Sequence, residues 1–153
     1  MRGKFFQNSK SVVIESMAKR FMDEIAWCDF KDAEEVYSEP AENFIPELEK
    51  LIDFLFSINV LDHCFDFEKI ILNVKKYLKD DGLAFLSFDS HYHVSLGHPL
   101  ILTEKECKDI FNNNGLKVKK FSRKFPDSFT TVYPKNGINN QSDCLNFCLT
   151  PRK

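Results

Sequence analysis

The apolar positions of this sequence fall into short solid runs, separated by stretches with helical spacing. KSVVIES, residues 10–16, is a β-branched run ending at an acid, which predicts a buried parallel strand. MAKRFMDEIAW, 17–27, has apolar residues at 17, 18, 21, 22 and 25, the spacing of one helix face. AEEVYSEP, 33–40, predicts a weaker strand that Pro40 stops. AENFIPELEKL reads as a connection with one helical turn after Pro46. IDFLFSI, 52–58, is almost wholly apolar and predicts a central strand covered on both faces.

The second half repeats the scheme. DFEKIILNVKKYLKDDG, 66–82, predicts the clearest helix. Asp66 can cap its start, Phe67, Ile70, Ile71, Val74 and Leu78 share a face, and Gly82 can close it in the left-handed conformation. LAFLSFD, 83–89, predicts another buried strand. LTEKECKDIFNNNG, 102–115, carries a capping box, Thr103 with Glu106, and a stop at Asn114-Gly115. LKVKKFSRKF, 116–125, and DCLNFCLTP, 143–151, alternate as strands with one wet face do, and PDSFTTVYPKNGINNQS suits a long hairpin connection. The order β-α-β-(α)-β-α-β-α-β-β predicts an α/β fold, a mainly parallel sheet with right-handed crossovers and an antiparallel pair at one edge.

Composition excludes several classes. The 153 residues fit a single domain, 1–153, able to bury a core. With 21 basic and 23 acidic residues the net charge is -2, which provides no footprint for nucleic acid and no polybasic membrane patch. No apolar run is long enough to span a bilayer, and MRGKFFQNSK lacks a signal-peptide core, so the cytoplasm is expected. The five cysteines, Cys28, Cys64, Cys107, Cys144 and Cys148, form no C-x-x-C and read as reduced thiols.

In doubly wound folds, ligands sit outside the carboxyl ends of the strands. Three groups fall there: Glu15; then Asn59, Asp62 and His63; then Asp89, His91, His93 and His98 in DSHYHVSLGHP. Histidine titrates near neutral pH, so His91 or His93 suits a general base. His-x-His in a loop also suits a metal, with Asp89 or His98 as a further ligand, or plain loop hydrogen bonding. No metal is expected.

The ordered series resembles a class I S-adenosylmethionine-dependent methyltransferase, nearest the type 11, small-molecule sort. FDFEKIILNVKKYLKDDGLAFLSFD is similar to the family's helix ending in LKPGG and its fifth strand, with Asp80-Asp81 in place of Pro-Gly. IDFLFSINVLDHC resembles the fourth-strand motif that leads into LeH, and LTEKECKDIFNNNGLKV resembles the following helix and sixth strand. The match covers about residues 10–125. It implies a Rossmann-like three-layer sandwich with strand order 3-2-1-4-5-7-6, S-adenosylmethionine as cofactor and a small-molecule substrate. It places Glu15 on the cofactor's ribose hydroxyls, Ala41 and Glu42 near the adenine, and Asn59 on the cofactor crevice. Asp62, His63, Asp89 and His98 are implied on the substrate side, with His91 and His93 as catalytic candidates.

One part of the pattern is missing. The five glycines, Gly3, Gly82, Gly97, Gly115 and Gly137, form no G-x-G. Ten residues precede Ser11, whereas a strand-helix unit needs roughly 30. The family's first strand and glycine-rich loop are therefore expected to be absent, as in a truncated gene product. Three arrangements can follow: direct pairing of the strands either side of the gap, filling of the gap by residues 3–8, or a homodimer that completes the sheet. The second functional reading is a non-catalytic methyltransferase-like fragment acting by self-association or partner binding.

Overall fold

The computed structural model describes residues 9–91, 94–123 and 142–152. The chain divides into two compact units, Met1–Phe44 and Ile45–Lys153.

In the first unit, Val12–Ile14 (β1) and Glu35–Tyr37 (β2) form a two-stranded parallel sheet, with Val13 opposite Val36. The short helix Ala18–Glu24 (α1) lies between them in sequence. Ser11 anchors the entry to β1: its N–H and its hydroxyl both donate to the Glu34 carboxylate, at 2.6 and 2.7 Å. β1 is half-buried where full burial was predicted, in keeping with the little surface that two three-residue strands can cover.

The second unit holds a four-stranded sheet in the order β3-β4-β6-β5. Its strands are Ile52–Ile58 (β3), Leu78–His91 (β4), Leu116–Arg123 (β5) and Ser142–Pro151 (β6). β3 and β4 run parallel, and β6 is antiparallel to both β4 and β5. The sheet is therefore mixed. Helix Phe67–Tyr77 (α2) provides the β3-to-β4 crossover, and Glu104–Asn113 (α3) precedes β5. Both helix starts are as predicted. Asp66 accepts from the Lys69 N–H, and Thr103 with Glu106 makes the full capping box.

The core is a ring of phenylalanines between the helices and one sheet face. Phe67 of α2 meets Phe88 of β4 at 5.4 Å, and Phe111 of α3 meets Phe147 of β6 at 4.9 Å. Phe67 and Phe111 close the ring across the two helices at 6.0 Å. Ala84, Leu86 and Phe88 on β4 and Leu145, Phe147 and Leu149 on β6 are fully or almost fully buried, as alternation on a pleated strand requires.

Two expectations need correction. The helix predicted over 66–82 ends at Tyr77, and Gly82 lies inside β4. The cause is the sheet register: Ile52 pairs with Leu78 and Phe54 with Leu83, so Lys79–Gly82 bulges out of the ladder. The strand expected to be covered on both faces is not. The face of β3 with Phe54, Phe56 and Ile58 is exposed, Phe56 by 66%, because α2 and α3 pack the opposite face, where β4 buries Ala84, Leu86 and Phe88. The expected antiparallel pair of β5 and β6 lies at one edge, with β6 inside the sheet, between β4 and β5. The 124–141 segment, expected as a hairpin connection, lies outside the described residues.

Candidate functional site

β3 ends at Ile58, and the next residue sets up the site. Asn59 adopts a left-handed conformation, φ 55°, one that asparagine tolerates better than most residues. Its N–H donates to the Ser87 carbonyl of β4 at 2.7 Å. The chain then makes a 3-10 turn, Leu61–His63, in which Leu61 and Asp62 are buried. Leu61 anchors the turn in the core, and Asp62 is 2% exposed.

Asp62 is the centre of the site. Its Oδ2 lies 3.2 Å from Nε2 of His91, 3.5 Å from Nε2 of His98 and 3.6 Å from Nε2 of His63. Its Oδ1 is buried and has no hydrogen-bond partner among the described residues. The rings pack together as well. His91 and His98 stack at 3.8 Å with 22° between planes, and His63 lies 4.5 Å from His98. Nδ1 of His63 lies 2.6 Å from the Gly97 carbonyl oxygen. A carbonyl only accepts, so Nδ1 carries the proton and Nε2 is left to face Asp62. The loop is tied at its base, where Ser95 N–H donates to the His98 carbonyl at 2.9 Å and His98 N–H to the Ser95 carbonyl at 3.2 Å.

Burial shifts the surrounding groups toward their neutral forms. Burial pushes the Asp89 carboxyl above its ordinary range, the Asp62 charge adds to this, and the histidines oppose it. Burial lowers His98, and the neighbouring His91 lowers it further. Cys144 of β6 has its thiol 3.5 Å from the Ser87 hydroxyl and is held protonated chiefly by burial. The donor atoms of Asp62, His91 and His98 all lie within 4.8 Å of one another. A carboxylate among imidazoles can orient a base, stabilise an imidazolium or hold a cation.

Of the residues singled out in the sequence, the structure brings Asp62, His63, His91 and His98 together, with Asp89 in electrostatic reach. Asn59 shapes the turn. His93 lies outside the described residues. Glu15, Ala41 and Glu42 belong to the first unit. Glu15 follows β1 as expected, and its Oε1 accepts from the Met17 N–H at 3.0 Å and the Ser16 hydroxyl at 3.2 Å, closing the turn into α1. Sequence reasoning assigned Asp62 and His91 to separate strand ends and missed their convergence. The signal was present: consecutive strands joined by a helical crossover are usually neighbours, which sets their carboxyl ends side by side. Ser87 and Cys144 carried no local signal.

The strand order β3-β4-β6-β5 with its terminal antiparallel pair is that of a class I S-adenosylmethionine-dependent methyltransferase fold. Solved structures agree. The O-methyltransferase from a trans-AT PKS multienzyme of Brevibacillus brevis, in complex with S-adenosyl-L-homocysteine, matches at TM-score 0.68 and 16% identity over 97% of this chain and 61% of that one. An S-adenosylmethionine-dependent methyltransferase from Clostridium acetobutylicum matches at TM-score 0.69 and 6% identity, over 95% of this chain and 76% of that one. The 1,6-didemethyltoxoflavin-N1-methyltransferase of Burkholderia thailandensis, with 1,6-didemethyltoxoflavin and S-adenosylhomocysteine bound, matches at TM-score 0.62 and 14% identity, over 94% and 72%. This chain spans less than two thirds of the length of the Brevibacillus protein, 61%. No protein-family model and no curated protein matches the sequence. Among the described residues, no helix is long and apolar enough to cross a membrane.

Proposed function

We propose that this chain belongs to an S-adenosylmethionine-dependent methyltransferase acting on a small molecule. The observation that carries this reading is the cluster of Asp62, His63, His91 and His98 immediately beyond the carboxyl ends of β3 and β4, where folds of this order bind ligands. Glu15 would hold the donor's ribose hydroxyls through its carboxylate, with Ala41 and Glu42 near the adenine and Asn59 along the crevice. Asp62, His63, Asp89 and His98 would contact the acceptor. His91 would take the acceptor's proton, its imidazolium stabilised by the Asp62 carboxylate 3.2 Å away. The rate would come mainly from aligning the nucleophile with the sulfonium methyl. His93, outside the described residues, is kept as the second candidate for the base role.

The sequence carries no G-x-G among its five glycines. That fact favours the second reading, a methyltransferase-like fragment without catalysis that acts by self-association, including a homodimer completing its sheet, or by partner binding. Calorimetry with S-adenosylmethionine separates the two. Submillimolar binding that Glu15→Ala abolishes supports the enzyme. No binding by a well-folded sample overturns it, and light scattering then reads the oligomeric state.

A further inference from the structure

We propose that Asp62, His91 and His98 form a binding site for one divalent transition-metal ion of the zinc class, with His63 at its edge. This goes beyond the expectation of no metal. It is independent of methyl-donor binding, and with the ion bound it replaces the base role given to His91 above, because the Nε2 facing Asp62 would then be on the ion.

The first support is the convergence on one atom. Three Nε2 atoms lie 3.2, 3.5 and 3.6 Å from Oδ2 of Asp62. Neutral imidazoles would satisfy that oxygen only by donating Nε2–H. His63 cannot do so in its neutral form, because its single proton is on Nδ1, facing the Gly97 carbonyl at 2.6 Å. Its Nε2 lone pair then confronts a carboxylate oxygen. A cation between them removes the conflict. Protonating all the rings would do the same, but it would set like charges in a stack whose centroids are 3.8 and 4.5 Å apart.

The second support is independent of the histidines. Asp62 is 2% exposed, and its Oδ1 is buried without a partner among the described residues. A buried carboxylate is costly unless paired and fully hydrogen-bonded. Among the described residues its ion-pair partners are all histidines, with no lysine or arginine. A bound ion would supply the missing positive charge and take up the free oxygen.

The donor chemistry selects the ion. Imidazole and carboxylate together suit zinc and its neighbours, whereas magnesium and calcium favour all-oxygen sets. Metal–ligand distances of about 2.0–2.2 Å put neighbouring donors on one ion roughly 3.3 Å apart. The Asp62–His91 and Asp62–His98 separations, 3.2 and 3.5 Å, match this. Three protein ligands would leave a coordination position open, as in sites that bind water or substrate.

The test uses the full chain stripped with chelator and titrated with cobalt(II) near neutral pH, read by its visible d–d bands and by zinc competition. The expected result is one saturable site per chain, without thiolate charge-transfer absorption. His91→Ala and His98→Ala should each weaken it by about 100-fold or more, beyond the loss typical of an outer-shell partner. His63→Ala should weaken it less. Asp62→Asn tests the carboxylate at constant shape; should that variant misfold by circular dichroism, the half-exposed His98 variant still decides. No saturable cobalt spectrum with the wild type overturns the proposal. So does unchanged affinity in folded His91→Ala and His98→Ala variants, which would move the ion to the cysteines. Because the readout is metal binding, failure here leaves methyl-donor binding untouched, and the reverse also holds.

Discussion

The backbone N–H of Asn59 donates to the carbonyl of Ser87 at 2.7 Å, with Asn59 in the left-handed conformation. This bond turns the chain sharply off the end of β3 and directs Asp62 under the loop that follows β4. The conformation favours Asn or Gly and penalises β-branched residues. Asn59→Val should therefore cost about 1–2 kcal/mol. Asn59→Gly should stay within about 1 kcal/mol of wild type. Urea denaturation of the two variants checks both values. The Val variant should also shift the imidazole NMR signals of His63, His91 and His98, because its strain lies at the root of the turn that carries His63 and the Asp62 carboxylate all three rings face.

A second expectation concerns the bulge in β4. A Cβ on Gly82 would lie 2.9 Å from the Ile52 carbonyl oxygen and 3.0 Å from that of Lys79. Both are backbone atoms and cannot rotate away. Gly82→Ala should destabilise the protein by about 1–3 kcal/mol, the usual range for overpacking. Thermal unfolding followed by circular dichroism measures it. Asp81→Ala, one residue earlier and exposed, should be close to neutral.

Tyr77 offers a cleaner hydrogen-bond measurement. Its hydroxyl oxygen accepts the buried Ile45 N–H at 2.9 Å, joining the last turn of α2 to the segment before β3. Tyr77→Phe keeps the ring and leaves that N–H without its acceptor. The expected loss is about 1–3 kcal/mol. Hydrogen exchange at Ile45 should accelerate in the variant; an unchanged rate would show that the hydroxyl contributes nothing there.

The pH dependence at the alkaline end should carry a signature of Cys107. Burial in α3 pushes its thiol from 9.0 up to about 12. Between those values the native chain keeps a proton that the unfolded chain has released. Unfolding then releases protons, so stability falls as pH rises above about 9, by at most about 1.4 kcal/mol per unit. Comparing wild type with Cys107→Ala across that range isolates the slope, which should be shallower in the variant. Native Cys107 should also resist alkylation, since the thiolate is the reactive form.

The parts of the fold read correctly from sequence are those written in local chemistry. The Thr103–Glu106 capping box and the Asp66 cap fix helix starts within a single turn, so short-range residue types are enough. The Gly115 stop works the same way, with φ 72°. The end of α2 was misplaced because its cause is not local. Lys-Asp-Asp-Gly satisfies a helix terminus by composition, but the pairing of Leu78 with Ile52 draws the chain into the sheet four residues sooner than Gly82. Exposure of β3 was missed for a related reason: an apolar run does not say how many layers cover it. At the site, the identity of Asp62, His63, His91 and His98 was legible from strand ends. Their meeting at one oxygen was not, because it depends on the left-handed turn at Asn59 and on the Ser95–His98 loop tie.

The position of β6 sets an order of events during synthesis. It is the last strand reached along the sequence, yet it lies between β4 and β5 and supplies the pairing of both, Phe85 with Cys148 and Phe121 with Phe147. Until those residues leave the ribosome, among the described residues β5 has no neighbour to join and β4 has only β3. The phenylalanine ring around Phe147 cannot close either. Contacts spanning some sixty residues, such as Ala84 with Leu149, must then form late and together. A nascent chain arrested before Ser142 should behave as a loosely collapsed intermediate that chaperones retain, and release of the final strand should be the step that commits it to the native state.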